Sequence, residues 1–328
     1  MTFHGRIALL ALGALALVLP ASASAETATK HHLEMYKAEQ HITLPEYDTN
    51  TYTLACPGND LAADGMWRID EVGPYNAQLA DDDEAPWTVA TGVSVIAAYP
   101  SASDTYTFTF RNNTSSNAQL KIFVTCLGDK TAADTHSHDM VASPIATQGY
   151  NYAVEDEYTT APNDPVHCAS GQFFISPGFK VNSGEAYLFA SKPETNLYEW
   201  TYGFYVSKPA TSLNVYGRCL ENFTDYVNGF PKNHRHKIYG YLKTTAQHFD
   251  KGNGVWEHQI ECGEHQKGLV GGFDVFDPSF TWNSHSWYWL GMDPRIKTRA
   301  FRTMGTGSGG GSYYLVCFND RTSRPFYS

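Results

Sequence analysis

Six cysteines, at positions 56, 126, 168, 219, 262 and 317, set the strongest constraint on what this 328-residue chain can become. They fall in three successive pairs, Cys56 with Cys126, Cys168 with Cys219 and Cys262 with Cys317, each enclosing the length of one small β domain. Six cysteines alone permit many pairings, but the sequence around them selects one. The openings read CPGNDLAADGMW, CASGQFFISPGF and CGEHQKGLVGGF. Each carries, nine or ten residues past its cysteine, a glycine followed by Met or Phe: Gly65-Met66, Gly178-Phe179 and Gly272-Phe273. AAYP, ASKP and GMDP come next, ending at Pro100, Pro193 and Pro294, and the closing cysteine follows by 26, 26 and 23 residues in KIFVTC, NVYGRC and YYLVC. Four landmarks in one order, three times over, describe an internal repeat, so each copy is expected to carry its own disulfide.

The start of the chain sets the compartment in which those thiols are read. MTFHGRIALLALGALALVLPASASAE has Arg6 in a short basic start, an apolar stretch from Ile7 to Leu19 and the small residues Ala23-Ser24-Ala25. This is the pattern of a secretory signal peptide, with cleavage expected before Glu26. No later segment approaches the ~20 apolar residues of a membrane-spanning helix. A secreted, extracellular or cell-surface location is therefore expected, where paired cysteines are oxidised.

Removal of residues 1–25 deletes one cation and takes the formal charge from −11 to −12. An acidic balance argues against nucleic acid or an anionic bilayer as partner, since both reward a basic surface. Aromatic residues are abundant, with 21 Tyr, 18 Phe and 7 Trp, and stretches such as TYTFTF (Thr105 to Phe110) alternate as half-buried strands do. No long helical period is present. The fold class expected is all-β: three tandem small antiparallel β-sandwich-like domains, each clasped by one disulfide, over residues 26–130, 131–225 and 226–328, the first carrying an acidic insertion.

Histidines cluster at the starts of these units, as KHHLE, THSHD and NHRHK. On a strand, residues i and i+2 share a face, so His136 with His138 and His234 with His236 each present two imidazoles together, half of a zinc or copper site. Adjacent His31 and His32 fail that test. The leading expectation is that the pairs are polar residues in exposed joints between units, without a cofactor. Zinc or copper at His136, His138, His234 and His236 is one alternative, and a contact sensitive to pH near 6 is the other.

Signatures of catalysis are absent. GTGSGGGS (Gly305 to Ser312) lacks the Gly-Lys-Ser/Thr ending of a phosphate loop and reads as a hairpin connection before the last strand. LADDDEAPW (Leu79 to Trp87) could gather a hard cation, but its place marks it as a solvated loop peculiar to the first unit. Repeated small modules signify binding or structure more than catalysis, so no enzyme activity is expected. WNSHSWYWLGM concentrates aromatic residues, and Trp282, Trp287, Tyr288 and Trp289 are candidates to stack sugars or a neighbouring subunit.

CPGN, LVGGFDV, YEWTYGFYV and YYLVC give the chain a resemblance, across nearly its whole mature length, to tandem secreted or surface modules of bacteria built on C-P-x-G, Gly-Gly-Phe, a Trp-containing middle strand and Y-x-V-C. The first unit departs from that pattern with Gly65-Met66-Trp67. The resemblance implies an exported structural or adhesive cell-surface subunit, a subunit of an extracellular filament being one form of it, whose partners are like subunits or surface glycans. A monomeric secreted protein that binds a carbohydrate or other ligand is the alternative; a metal-binding protein and a glycan-active enzyme follow.

Overall fold

The computed structural model describes residues 30–72, 93–132, 136–153, 157–206, 208–227, 233–275, 287–296 and 299–327. The signal-peptide expectation, the acidic stretch Leu79 to Trp87 and Trp282 lie outside these residues. The described chain is all-β, with antiparallel sheets, three disulfides and no α-helix.

Each unit builds six main strand segments in the same order. The first has β1 (His32–Leu44), β2 (Thr49–Ala55), β3 (Leu61–Val72), β4 (Val93–Ala102), β5 (Thr105–Asn112) and β6 (Ala118–Ala132). The second has β7 (Ala146–Tyr152), β8 (Glu157–His167), β9 (Gln172–Ser183), β10 (Ala186–Pro193), β11 (Glu199–Val206) and β12 (Thr211–Glu221). In the third, β13 (His234–His236) precedes β14 (Gly240–Glu261), β15 (Gln266–Asp274), β16 (Trp287–Arg295), β17 (Ala300–Asn319) and β18 (Pro325–Tyr327). Here the long β14 and β17 each do the work of two strands of the other units.

Pairing repeats with the elements. The closing strand lies between the first strand and the Gly-aromatic strand in β1-β6-β3, β7-β12-β9 and β14-β17-β15, and the remaining strands pair as β2-β5-β4, β8-β11-β10 and β14-β17-β16. Alternation explains the faces. In β5, Tyr106, Phe108 and Phe110 point inward and are fully buried, whereas Thr105 and Thr109 are only partly covered, the period of two expected of a strand with one core face. Each disulfide ties the residue after the second strand to the closing strand, spanning 70, 51 and 55 residues for Cys56–Cys126, Cys168–Cys219 and Cys262–Cys317. On the chain-entropy account each closure is worth about 4 kcal/mol.

The units share their sheets. The Gly-aromatic strand of each pairs with the proline-ended strand of another: β9 with β4 (Phe179 opposite Ala98), β15 with β10 (Phe273 opposite Ser191) and β3 with β16 (Arg68 opposite Gly291). Unit two thus leans on one, three on two, and one on three, which closes a ring. The result is a six-stranded sheet ordered β2-β5-β4-β9-β12-β7 and a ten-stranded one running β1-β6-β3-β16-β17-β15-β10-β11-β8, with β14 on β17. The main hydrophobic core draws on all three units, from Leu33 and Phe108 through Phe174 and Trp200 to Leu269 and Phe318.

The repeated glycine has a structural reason at these seams. A Cβ on Gly178 would stand 2.6 Å from Tyr99 Cα and 2.8 Å from Ala98 O, and one on Gly272 would stand 2.9 Å from Ser191 O, all backbone of the neighbouring unit. Backbone cannot swing aside as a side chain can. Gly178→Ala and Gly272→Ala are each expected to destabilise the protein by about 1–3 kcal/mol, read from denaturant unfolding; an unchanged midpoint in both would show that the seams are loose.

GTGSGGGS is corrected by the structure: it forms the middle of β17 and not a turn. Gly305 and Gly307 stand opposite Trp289 and Trp287 of β16, and Gly309 opposite Phe249 of β14. Ladder pairing with β14, with β16 or, at Gly305, with both holds the glycines extended despite their weak strand preference.

Candidate metal centre

The three histidine motifs, separated by about a third of the chain each, meet at one place. His31 lies just before β1, His136 and His138 in the connection after β6, and His234 and His236 on β13. Ring centroids are 4.4 Å apart for His31–His236, 4.7 Å for His138–His236, 4.9 Å for His31–His138 and 5.0 Å for His136–His234. The expectation of exposed joint residues is overturned: His31 and His138 are 0 % exposed, His236 1 % and His234 8 %, while His136 is half-buried. His31, excluded by its spacing to His32, belongs to the cluster, and His32 points to solvent on β1.

Three threonines position the inner histidines. His31 N–H donates to Thr322 Oγ1 (3.0 Å) and Thr322 N–H to His31 O (2.8 Å). The same reciprocal pair joins His138 to Thr131 (3.0 and 2.9 Å) and His236 to Thr224 (3.0 and 2.9 Å). Each threonine is 2 % exposed. Their flanking residues bridge alike, Arg321 with His32, Lys130 with Asp139 and Phe223 with Lys237. The start of each unit is thereby fastened to the end of another, and His31 with Thr322 joins the two ends of the described chain.

A sequence signal for this lay five residues past each closing cysteine, in CLGDKT, CLENFT and CFNDRT. The repeat thus extends past the closing cysteine to a threonine that fastens a histidine of another unit.

Tautomers follow from the side-chain contacts. His138 Nδ1–H donates to Asp225 O at 3.0 Å and His236 Nδ1–H to Ser323 O at 2.9 Å. A carbonyl only accepts, so in the neutral rings Nε2 carries the lone pair. His31 Nδ1 meets Thr131 Oγ1 at 3.2 Å, a hydroxyl able to support the same tautomer. The Nε2 atoms of all three are buried without a hydrogen-bond partner. Such orphaned acceptors cost roughly 1–3 kcal/mol each, and a ring held by its Nδ1–H with Nε2 turned into a cluster is how proteins orient metal ligands.

Burial, reinforced by the neighbouring imidazoles, pushes His31 down to about 3. Burial likewise takes His236 to about 4, against its bond to Ser323 O, and lowers His138. These three rings are therefore neutral at pH 7 with their lone pairs available, and protons do not compete with a metal for them. A switch near pH 6 centred on His138 and His236 is not what this burial produces.

The donor atoms of His31, His136, His138 and His236 lie within 4.8 Å of one another, and His136 Nε2 is 3.0 Å from His234 Nε2. Of the expected metal residues, His136, His138, His234 and His236 are thus all brought together. The aromatic candidates are elsewhere: Trp287, Tyr288 and Trp289 are on β16, opposite Gly307, Thr306 and Gly305.

Fold and site together define an all-β, disulfide-bridged protein whose three repeated units converge on an all-histidine centre. No protein-family model matches the chain, and no curated protein matches it.

Proposed function

We propose that this is an exported protein that holds one divalent transition-metal ion in the centre formed by His31, His136, His138, His234 and His236. The observation that carries the reading is the convergence of three buried, unpartnered Nε2 atoms from three distant segments. An all-imidazole set suits ions of the zinc, copper, nickel and cobalt group and offers no oxygen ligand for calcium or magnesium. Full burial of the inner rings favours a holding role over a catalytic one, since a catalytic ion keeps a position open to substrate. Three disulfides favour an oxidising compartment, and no helix among the described residues is long and apolar enough to cross a membrane. Elemental analysis after chelator treatment and reloading tests the reading: one ion per chain is expected, none in a His31→Gln, His138→Gln, His236→Gln triple variant, and equal uptake by both would refute it.

A second reading, the structural or adhesive subunit implied by resemblance to tandem surface modules, has support from strands β2 and β7. They are the outer strands of the six-stranded sheet, largely exposed, and neither TNTYTLA nor ATQGYNY contains a charge or proline. Outer strands β1 and β8 carry Glu34, Lys37 and Glu39, and Pro162 and Pro165, the usual guards against strand addition. β1 pairs with β6 of its own chain, so assembly would join β2 of one copy to β7 of the next. Electron microscopy is expected to show short polymers that Thr51→Lys with Gln148→Lys abolishes; monomers alone in the parent protein would remove this reading.

A further inference from the structure

The turn that leads into the Gly-aromatic strand is built alike in units two and three, and one residue in it differs. In unit two Gln172 N–H donates to Ala169 O (3.1 Å) and Ala169 N–H to Gln172 Oε1 (2.9 Å). In unit three Gln266 N–H donates to Gly263 O (3.2 Å) and Gly263 N–H to Gln266 Oε1 (3.0 Å). The residue before the glutamine takes a left-handed backbone in both turns: Gly171 at φ 92° in the one, His265 at φ 58° in the other. Glycine adopts such angles freely and a side chain adopts them at a cost. Among the described residues the fold gives little in return. The bond from Asp320 N–H to His265 O (2.8 Å) involves backbone alone, so a glycine would serve as well. The His265 side chain is 86 % exposed, with Nδ1 3.8 Å from Asp320 Oδ2, a surface contact worth little. Strain held at an exposed position points to a use outside the fold.

His265 stands at an open groove of about 820 Å³ beside the joined ends of the described chain, a volume within the range of small-ligand sites. Tyr239 and Phe326 bring two aromatic rings to it, Phe326 being 47 % exposed. Lys30, Arg321 and Arg324 bring three exposed cations, none of them in an ion pair among the described residues. By contrast, Lys130, Lys208 and Arg299 are paired on the surface with Asp139, Glu185 and Glu261. Glu264, Asn319 and Asp320 add acceptors. Three cations against two carboxylates, in a chain of formal charge −11, make the groove a place that draws an anion. Aromatic rings take the C–H face of a sugar, and carboxylates and an amide take its hydroxyls.

We infer that this groove binds an acidic, uronate-bearing oligosaccharide, with Lys30, Arg321 and Arg324 at its carboxylates, Tyr239 and Phe326 against its rings and His265 at a hydroxyl. Thr322 and Ser323, which fasten His31 and His236, also line the groove, but the inference stands whether or not the histidine centre holds an ion. An acidic peptide would meet the cations and has no repeated C–H face for the rings.

Isothermal titration calorimetry of the full-length mature protein with trigalacturonate tests the assignment, with maltotriose as the neutral control and triglutamate as the peptide control. Binding of trigalacturonate that weakens with added salt is expected, the two controls binding at least about tenfold more weakly. Arg324→Gln and Phe326→Ala should each weaken it by about tenfold, through loss of a charge-assisted hydrogen bond and of a stacked ring. His265→Gly should weaken it too, while the thermal midpoint stays level or rises as the strained backbone is relieved. Circular dichroism identifies any variant that fails to fold. Absence of trigalacturonate binding by the parent, equal binding of either control, or unchanged affinity in Arg324→Gln and Phe326→Ala would each overturn the assignment. A lowered midpoint with intact affinity in His265→Gly would give that ring to the fold and remove it from the site.

Discussion

Chelator treatment is expected to lower the thermal midpoint of the protein by about 4–7 °C, and stoichiometric metal to restore it. The expectation follows from where the ligands sit. His31, His136 with His138, and His234 with His236 belong to three segments brought together only by folding, so the unfolded chain offers no comparable site. An ion that binds only the folded state stabilises it by about 2.7 kcal/mol at a hundredfold excess over its dissociation constant and about 4.1 kcal/mol at a thousandfold excess. In a protein of this size each kcal/mol moves the midpoint by about 1.6 °C. The His31→Gln, His138→Gln, His236→Gln variant should show no response to metal at all. Each Gln amide buries a donor and an acceptor of its own, so the variant's apo midpoint serves as its own baseline. Scanning calorimetry of parent and variant, with and without chelator, makes the comparison. Coincident midpoints for the loaded and stripped parent would show that the cluster holds nothing that matters to the fold.

Acid is expected to destabilise the metal-free protein well above the range in which carboxylates titrate. In the folded state His31 is held down to about 3 and His236 to about 4, and His138 is lowered as well, burial being the largest cause for each. In the unfolded chain all three return to about 6.5. Above that value both states are neutral and the full stability is present. As pH falls below 6.5 the unfolded chain takes up protons that the folded one refuses, so stability declines, and it goes on declining until His236 and His31 titrate in the folded state near 4 and 3. Asp64 acts in the opposite sense, because its full burial raises it well above the usual carboxylate range despite hydrogen bonds from the Gly271 and Gly65 amides. It retains one proton in the folded state against the three that the histidines decline. Denaturant unfolding of stripped protein between pH 7.5 and 5 is expected to show falling stability, and the triple Gln variant a much flatter profile. Asp64 is common to both and cancels in the difference. Parallel profiles would mean that the inner rings are protonated in place and that the pocket is wet.

Several features of this protein were legible in its residues one after another. TYTFTF alternates and forms β5 with its aromatic residues inside; the cysteine, Gly-aromatic and proline landmarks recur in order and mark corresponding strands; and the repeat pairs the cysteines as the disulfides do. These are local properties: strand period, turn placement and loop length are written in neighbouring residues. The histidine motifs show the limit. A period of two assigns His234 and His236 to one face of β13 but does not say what meets that face, and what meets it is His136 and His138, about a hundred residues earlier, and His31, about two hundred earlier. His31 failed the spacing test because its partners are 105 and more residues away and not its neighbour His32.

GTGSGGGS failed for a related reason. Its glycines favour a turn when considered alone, yet β14 pairs along most of it and β16 along its first residues, and those hydrogen bonds outweigh that preference. The sequence by itself determined three copies of one strand order, the cysteine pairs and the alternating faces, because each depends on residues close together or on a repeat that can be aligned. Only the tertiary structure decided that the copies share sheets, that the ends of the described chain meet at His31 and Thr322, and that five histidines lie in one place. Those contacts depend on ring closure, in which the backbone of one unit, at Ala98 or Ser191, must pass the glycine of another, and no periodicity along the chain encodes that encounter.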